Sequence, residues 1–174
     1  LSRVTVSTGE SKSIKPFAGD GEEELRFNWN TPIHLSPTRS GTLYYGSQYV
    51  HFSSDRGDSW TTISPDLTTD DPERQRQEDS GGLTIDNSTA ENNTTIYAIA
   101  ESPLDHEIVW VGTDDGLIHV TTDGGGTWSL VSDAIPDLPA GTWISSIQAG
   151  PHDRETAFVS VDDHRRGDMT PYIY

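Results

Sequence analysis

The sequence predicts an all-β fold, a partial β-propeller made of four-stranded antiparallel blades, and three observations support this prediction. Helical periodicity is nearly absent, whereas short β-rich runs alternate with turns rich in Gly, Asp and Ser. A unit consisting of a strand that ends in proline, a turn, an apolar strand, a loop and a third strand recurs at Pro37, Pro103 and Pro151. The first two units also share a turn that ends in Trp, so each has most of a propeller blade.

The elements follow this repeat in order. We assign the first blade to residues 30–67, with strand-like runs at 33–37, 42–47 and 50–55. We assign the second blade to residues 95–138, with runs at 99–103, 108–113 and 118–123. Residues 139–174 form the first part of a third blade, with runs at 147–151, 156–161 and 172–174. Their common order predicts blades that stack face to face around an axis.

The remaining segments connect the blades. Residues 1–29 are predicted to be the end of a preceding blade and a linker, and residues 68–94 a long polar loop with a short strand at 83–85. Two complete blades cannot close a ring, because propellers need four or more. We therefore expect further blades before Leu1 and after Tyr174, in a ring of six to eight. The alternative is a ring completed by other copies of the chain.

The charge of the chain excludes some function classes. Eleven Lys and Arg residues stand against 28 Asp and Glu residues, which gives a net charge of −17. Such a field repels nucleic acids and anionic membranes, so neither is an expected partner. Strong acidity with few lysines also favours an extracellular protein from a saline habitat, although an acidic secreted protein from any source fits as well.

The sequence offers no cofactor chemistry. The absence of cysteine excludes disulfides and thiolate metal sites, and no apolar run has the length of a membrane helix. The six histidines show no metal-ligand spacing. His51 and His119 occupy the same place in the third strand of successive blades, which favours a repeated structural role. We predict neither a metal site nor a cofactor.

Two segments share the pattern Ser/Thr-x-Asp-x-Gly-x-Ser/Thr-Trp at the end of the third strand. In such a turn the Asp carboxylate accepts backbone N–H groups, Gly supplies a positive φ, and Trp packs on the sheet. We therefore assign these residues a structural role rather than a catalytic one. The predicted structural residues are Ser53, Asp55, Gly57, Ser59 and Trp60 in the first blade, and Thr121, Asp123, Gly125, Thr127 and Trp128 in the second.

The pattern resembles the Asp box of BNR-repeat propellers, which include sialidases, xyloglucanases, photosystem assembly propellers and sortilin-like domains. The segments RFNWNTPI (26–33) and TLYYG (42–46) further resemble the large secreted sortilin-like and xyloglucanase-like BNR proteins of bacteria, many of them labelled glycosyl hydrolases. The resemblance implies a secreted or periplasmic protein. It places the Asp boxes at the blade periphery, and it supplies no motif by which the catalytic aspartates of the family can be located here.

The resemblance leaves three functions open. The first is a scaffold and binding surface for a glycan or a protein within a larger extracellular propeller, with the other blades as its partners. The second is part of a xyloglucanase-like glycoside hydrolase whose active site extends beyond this sequence. The third is a sortilin-like peptide-binding or assembly-factor propeller.

Two pairs of carboxylates are candidates for catalysis, because a glycosidase needs one acid and one base or nucleophile. Asp114 with Asp115, and Asp162 with Asp163, follow the second strand of successive blades and could face a shared cleft. Gln48 stands at this place in the first blade. Because an Asp-Asp-Gly sequence is also an ordinary turn, the structural interpretation remains the stronger one.

Two tryptophans are candidates for ligand binding. Trp29 and Trp143 lie near the starts of first strands, where an aromatic ring could stack on a sugar. Packing within the fold is the competing interpretation of both. Trp110 lies in the middle of an apolar strand and is expected in the core between blades.

Overall fold

The sheets follow one another along the chain in a computed structural model that describes residues 1–76 and 92–174. A two-stranded hairpin comes first, formed by β1 (Ser2–Thr5) and β2 (Glu10–Ser13). Two four-stranded antiparallel meanders and a three-stranded one follow, which confirms the predicted all-β, propeller-like architecture. The strand predicted at 83–85 lies outside the described residues.

The strands of the three larger sheets pair in chain order. The first blade contains β3 (Ile33–Leu35), β4 (Leu43–Gly46), β5 (Val50–Ser53) and β6 (Thr61–Thr62). The second blade contains β7 (Ile96–Glu101), β8 (Val109–Thr113), β9 (Ile118–Thr121) and β10 (Ser129–Leu130). The third sheet contains β11 (Trp143–Ala149), β12 (Ala157–Asp162) and β13 (Tyr172–Ile173). Short 3₁₀ turns occupy Ser132–Ala134 and His164–Arg166.

Apolar side chains fill the space between successive sheets. Tyr44 and Val50 of the first blade pack with Ile96, Ile99 and Val111 of the second. A second core joins the second blade to the third sheet, and its buried members are Ala98, Ala100, Ile118, Ile144, Ile147, Ala149, Val159 and Val161. Trp110 packs against this second core, as expected from the sequence. Because the second blade is covered on both faces, its two inner strands β7 and β8 are mostly apolar rather than alternating.

Two equivalent glycines set the distance between the sheets. A Cβ atom added to Gly46 would lie 2.9 Å from Cβ and Cγ2 of Ile96, the first residue of β7. One added to Gly112 would collide with the same atoms of Ile144, near the start of β11. Each second strand therefore carries a glycine where the first strand of the next sheet makes its closest approach.

The helical content of the described chain is confined to short turns. Across residues 1–76 and 92–174, no helix has the length and apolar character needed to cross a bilayer.

Candidate functional site

One edge of the sheets gathers most of the polar and aromatic candidates. The first strand of each sheet begins at this edge. Because the second strand runs antiparallel to the first, it ends at the same edge, where a loop leads into the third strand. We call it the first-strand rim. It consists of residues 28–32, 94–97 and 142–143 together with the loops 47–49, 113–117 and 162–171.

Asp114 lies beneath the rim as a fully buried carboxyl group, with 0% of its surface exposed. It accepts hydrogen bonds from the backbone N–H of Thr95 (2.8 Å), from the Thr95 hydroxyl (2.8 Å) and from the Asn28 amide (3.2 Å). Burial raises the pKa of Asp114 from its ordinary 3.8 to about 6, against the lowering effect of these hydrogen bonds. Asp114 thus titrates near neutrality while it ties residue 28 to the second blade.

Asp115 is buried beside it and connects the second blade to the segment that leaves the first. One of its oxygens accepts from both the backbone N–H and the hydroxyl of Thr69, each at 2.7 Å. The other accepts from the Thr113 hydroxyl. The shared open cleft expected from the sequence is therefore not formed by this pair. The neighbouring segments supply hydrogen-bond donors that cover Asp114 and Asp115.

Asp162 and Asp163 occupy the same rim on the third sheet, but their partners differ. Asp162 accepts from the backbone N–H of His164 (3.0 Å) and contacts its ring Nδ1 (2.6 Å). Asp163 receives the Arg166 guanidinium through Nε (2.5 Å) and Nη2 (2.9 Å). Both side chains are engaged within their own loop.

The first blade replaces these carboxylates by Gln48, which is also buried. Its side chain accepts from the backbone N–H of Arg26 (2.9 Å) and donates to the Glu24 carbonyl (3.0 Å). An amide can satisfy a donor and an acceptor together, so it holds the incoming chain without a buried charge.

A cluster of three acidic residues near Gln48 surrounds Arg26. The guanidinium contacts Glu23 (2.5 Å), Asp66 (2.5 Å) and Asp70 (3.1 Å), and its side chain is only 10% exposed. Among the described residues these three carboxylates are the group close enough together to hold a metal ion. Arg26 contacts all three carboxylates and compensates one of their charges, so the cluster is by itself no evidence for a metal site.

Three aromatic side chains lie at the surface of the rim, Trp29 exposed and Tyr97 and Trp143 half-buried. The rings of Tyr97 and Trp143 lie 5.0 Å apart between centroids, inclined at 60°. The Tyr97 hydroxyl accepts a hydrogen bond of 2.6 Å from the Asn30 amide. Trp29, next to Asn30 in the chain, is 69% exposed. We call Trp29, Tyr97 and Trp143 the aromatic strip.

The strip is extended by a cation. The Arg165 guanidinium lies 3.7 Å above the centre of the Trp143 ring. The sequence analysis names Trp29 and Trp143 as candidates for ligand binding but misses their neighbours Asn30, Tyr97 and Arg165. The position of Tyr97 near the start of a first strand, like that of Trp143, is the signal that could have found it.

The two Trp-terminated turns lie at the opposite edge of the sheets and form equivalent hairpins. In the first, Asp55 accepts from the Ser53 hydroxyl (2.8 Å) and from the Ser59 backbone N–H (2.9 Å) and hydroxyl (2.6 Å). In the second, Asp123 accepts from the corresponding donors of Thr121 and Thr127, each at 2.8 Å. These bonds lower the pKa of both carboxyl groups, and that of Asp55 falls to about 2.

Another recess is lined by residues outside the aromatic strip. It has a volume of about 890 Å³ and separates the chain after β2 from the first blade, with Lys12, Phe17, Tyr49 and Trp60 among its lining residues. It is open, and Lys12 at its edge is already paired with Asp58 at 2.5 Å. We give the rim more weight, because hydrogen bonds and ring contacts fix its side chains in place.

Comparison with known proteins supports the architecture. No family model and no curated protein matches the sequence. Among solved structures, an ancestral GH74 enzyme superposes with a TM-score of 0.52 at 18% identity, over 79% of this chain and 14% of that enzyme. The fold is a partial β-propeller.

A second solved structure, the GH74 enzyme of Niastella koreensis, covers 92% of this chain and 34% of its own at 12% identity. Its TM-score of 0.28 is too low to support an argument. At these identities the likeness concerns the propeller fold alone, and this propeller segment spans a small part of either enzyme.

Proposed function

We propose that this chain contributes to an extracellular β-propeller that serves as a scaffold and binds a glycan at the first-strand rim. The aromatic strip carries the proposal. The face of a sugar ring presents C–H groups with partial positive charge, which are attracted to the negative face of an aromatic ring. Trp29, 69% exposed, offers such a face. The Trp143 ring is half-buried between Tyr97 and Arg165 and holds both in place, and Asn30 and Tyr97 add polar groups that can bind sugar hydroxyls.

The contacts of Tyr97 support a preformed site. Its ring touches Trp143 at the start of β11, while its hydroxyl is held by Asn30 ahead of β3. Tyr97 itself belongs to β7. The strip therefore connects the starts of successive first strands, and a ligand laid across it would not have to order mobile side chains on binding.

A glycan array with the wild-type chain and the Trp143→Ala variant tests the proposal. We expect wild type to bind one class of glycan and the variant to lose about tenfold or more in affinity, since Trp143 holds Tyr97 and Arg165 at the rim. Phe158→Ala removes an exposed ring (55% exposed) elsewhere on the third sheet and serves as the control. Equal affinities of wild type and the Trp143 variant would contradict the proposal. Binding to peptides instead would favour the sortilin-like alternative.

A glycoside hydrolase is the second candidate, and Asp114 favours it. A carboxyl group with a pKa near 6 suits a general acid, and the fold resembles that of a GH74 enzyme. Its complete burial counts against direct contact with a substrate. Release of reducing sugar from a β-glucan panel, lost in Asp114→Asn but kept in Asp162→Asn, would support hydrolysis by Asp114. No release from a complete parent propeller would exclude it.

We also propose that the two hairpins are Asp boxes of the BNR type, with a structural role. The matching hydrogen bonds of Asp55 and Asp123 support this assignment. Asp55→Ala and Asp123→Ala should each lower the melting temperature and leave glycan affinity unchanged. A loss of binding without a loss of stability would show that the turns act on the ligand instead.

A further inference from the structure

Three arginines surround one short segment at the edge of the aromatic strip. Arg165 stacks on Trp143, Arg166 donates to the carbonyl of Ala140 (2.9 Å), and Arg74 packs beside Gly141. A Cβ atom at Gly141 would collide with Arg74 and lie 3.8 Å from Nη1 of Arg166. In a chain with only 11 basic residues, three of them meet here, with Asp71, Asp162 and Asp163 as the nearby carboxylates.

The surrounding carboxylates make no direct bond to Arg165, although Asp162 is near enough for the charge of Arg165 to help lower its pKa. Asp162 is bound to His164, and Asp163 is bound by Arg166 through two nitrogens. No described carboxylate lies within ion-pair distance of Arg165, and its side chain forms no hydrogen bond to another described residue. Arg74 has a single long ion pair, 3.9 Å from Asp71. Two guanidinium groups at this edge therefore keep N–H donors available.

The placement of Arg165 on Trp143 defines what its donors can bind. A guanidinium stacked on an aromatic ring is held by cation–π attraction, while the N–H groups at its edge point outward in the plane. That fork matches two oxygens of a carboxylate or a sulfate. A glycan that reaches the Trp143 end of the strip would meet this fork, because Arg165 lies on the ring.

We infer that the glycan bound at the first-strand rim is anionic, with its carboxylate or sulfate groups held by Arg165 and the neighbouring Arg74. This inference rests on the proposed function and specifies its ligand class. The acidity of the whole chain does not prevent it, because charges more than about 8 Å away are screened at physiological ionic strength. Of the carboxylates within that distance, Asp162 and Asp163 are engaged by His164 and Arg166, which leaves the N–H groups of Arg165 to meet an anion.

Binding of three defined polysaccharides to the intact chain tests the inference: alginate (carboxylated), κ-carrageenan (sulfated) and a neutral β-glucan. Arg165→Gln should weaken binding to the anionic polymers by about tenfold to a hundredfold, the effect of a charge-assisted hydrogen bond. Arg154→Gln is the control, since it removes an equal charge from an exposed arginine paired only at 3.5 Å with Asp105. Melting temperatures of both variants should equal that of wild type.

The outcomes separate the inference from the function on which it rests. A preference for alginate or for κ-carrageenan identifies the anionic group. Wild type that binds the neutral polymer as well as the anionic ones, or Arg165→Gln that binds like wild type, overturns the inference and leaves glycan binding in place. Wild type that binds no glycan overturns both. An acidic peptide bound in preference to every polysaccharide would do the same.

Discussion

The indole N–H of Trp128 donates a hydrogen bond of 2.9 Å to the carbonyl oxygen of Ile63, which follows the last strand of the preceding blade. Trp60 makes the same bond, at 2.8 Å, to the carbonyl of Ile14 after β2. A Cβ atom on Gly125 would collide with Ile63, as one on Gly57 would with Ile14. The hairpin β1–β2 therefore contacts the first blade as the outer strands of that blade contact the second.

Trp128→Phe should destabilise the chain by about 1 kcal/mol through loss of this hydrogen bond, in addition to the smaller ring. Trp110→Phe is the matched control, because the Trp110 indole N–H is buried and has no hydrogen-bond partner among the described residues. Urea unfolding should show a lower midpoint for Trp128→Phe at an unchanged m-value. Equal losses in both variants would mean that ring volume, and not the hydrogen bond, holds the blades together.

Gly112→Ala should destabilise the chain by roughly 1–3 kcal/mol, because the added methyl group collides with Ile144 at the closest approach of two sheets. In an Ile144→Ala background the same change should cost less, and a double-mutant cycle measures this coupling. Gly19→Ala is the control, since its new methyl would meet only the flexible side chain of Glu22. Additive effects of the two core substitutions would show that the collision is relieved elsewhere.

The repeat could be read from the sequence because its signals are local. The strands around Pro37 and Pro103, and the donors that surround Asp55 and Asp123, depend on residues a few positions apart. The same turn chemistry in both units therefore predicts the same hairpin. The contact between Trp60 and Ile14 could not be predicted in this way, because it spans 46 residues and requires the first sheet to be docked.

Contacts between residues far apart in the sequence also limit what could be predicted of the candidate site. The position of Asp114 at the rim follows from the strand order, but its burial depends on Asn28, which lies 86 residues earlier. Tyr97 reaches Asn30 across 67 residues, so its place in the aromatic strip has no local signature. Sequence patterns predict which edge of a sheet a side chain occupies, whereas tertiary contacts decide whether that edge is covered.

Glu101→Gln should destabilise the chain by roughly 2–4 kcal/mol. The side chain is fully buried between blades, where it accepts from Ser36 (2.7 Å), Thr38 (2.7 Å), Tyr44 (2.8 Å) and Arg39 (3.0 Å). An amide would turn N–H groups toward these donors and leave the guanidinium unpaired.

Thermal and urea unfolding measure the loss in the Glu101 variant, with Glu107→Gln, an exposed glutamate on the following loop, as the control. Burial alone would raise the pKa of Glu101, but its four hydrogen bonds lower it below the ordinary 4.5. The contribution of ionised Glu101 to the free energy of unfolding is therefore present above pH 4.5 and decreases as the pH falls below that value. Wild type and variant should converge in acid. A constant difference would contradict an ionised Glu101 in the folded chain.

Asp114→Asn should remove a pH-dependent part of the stability. Because the pKa of Asp114 is about 6 in the folded chain and 3.8 ordinarily, the folded state binds more protons between these values. Wild-type stability attributable to Asp114 thus falls as the pH rises from 4 to 6, by on the order of 3 kcal/mol in total.

The measurement is the difference in unfolding free energy between wild type and Asp114→Asn at pH 4, 5, 6 and 7. Burial lowers the pKa of His34, His51 and His119, which acts in the opposite direction, but both proteins share these groups and the difference cancels them. The unfolding free energy of the variant should rise steadily relative to that of wild type from pH 4 to 6, and the difference should then stay constant up to pH 7. A difference that does not change over this range would mean that Asp114 is ionised in the folded chain throughout, and the general-acid role considered for it would lose its basis.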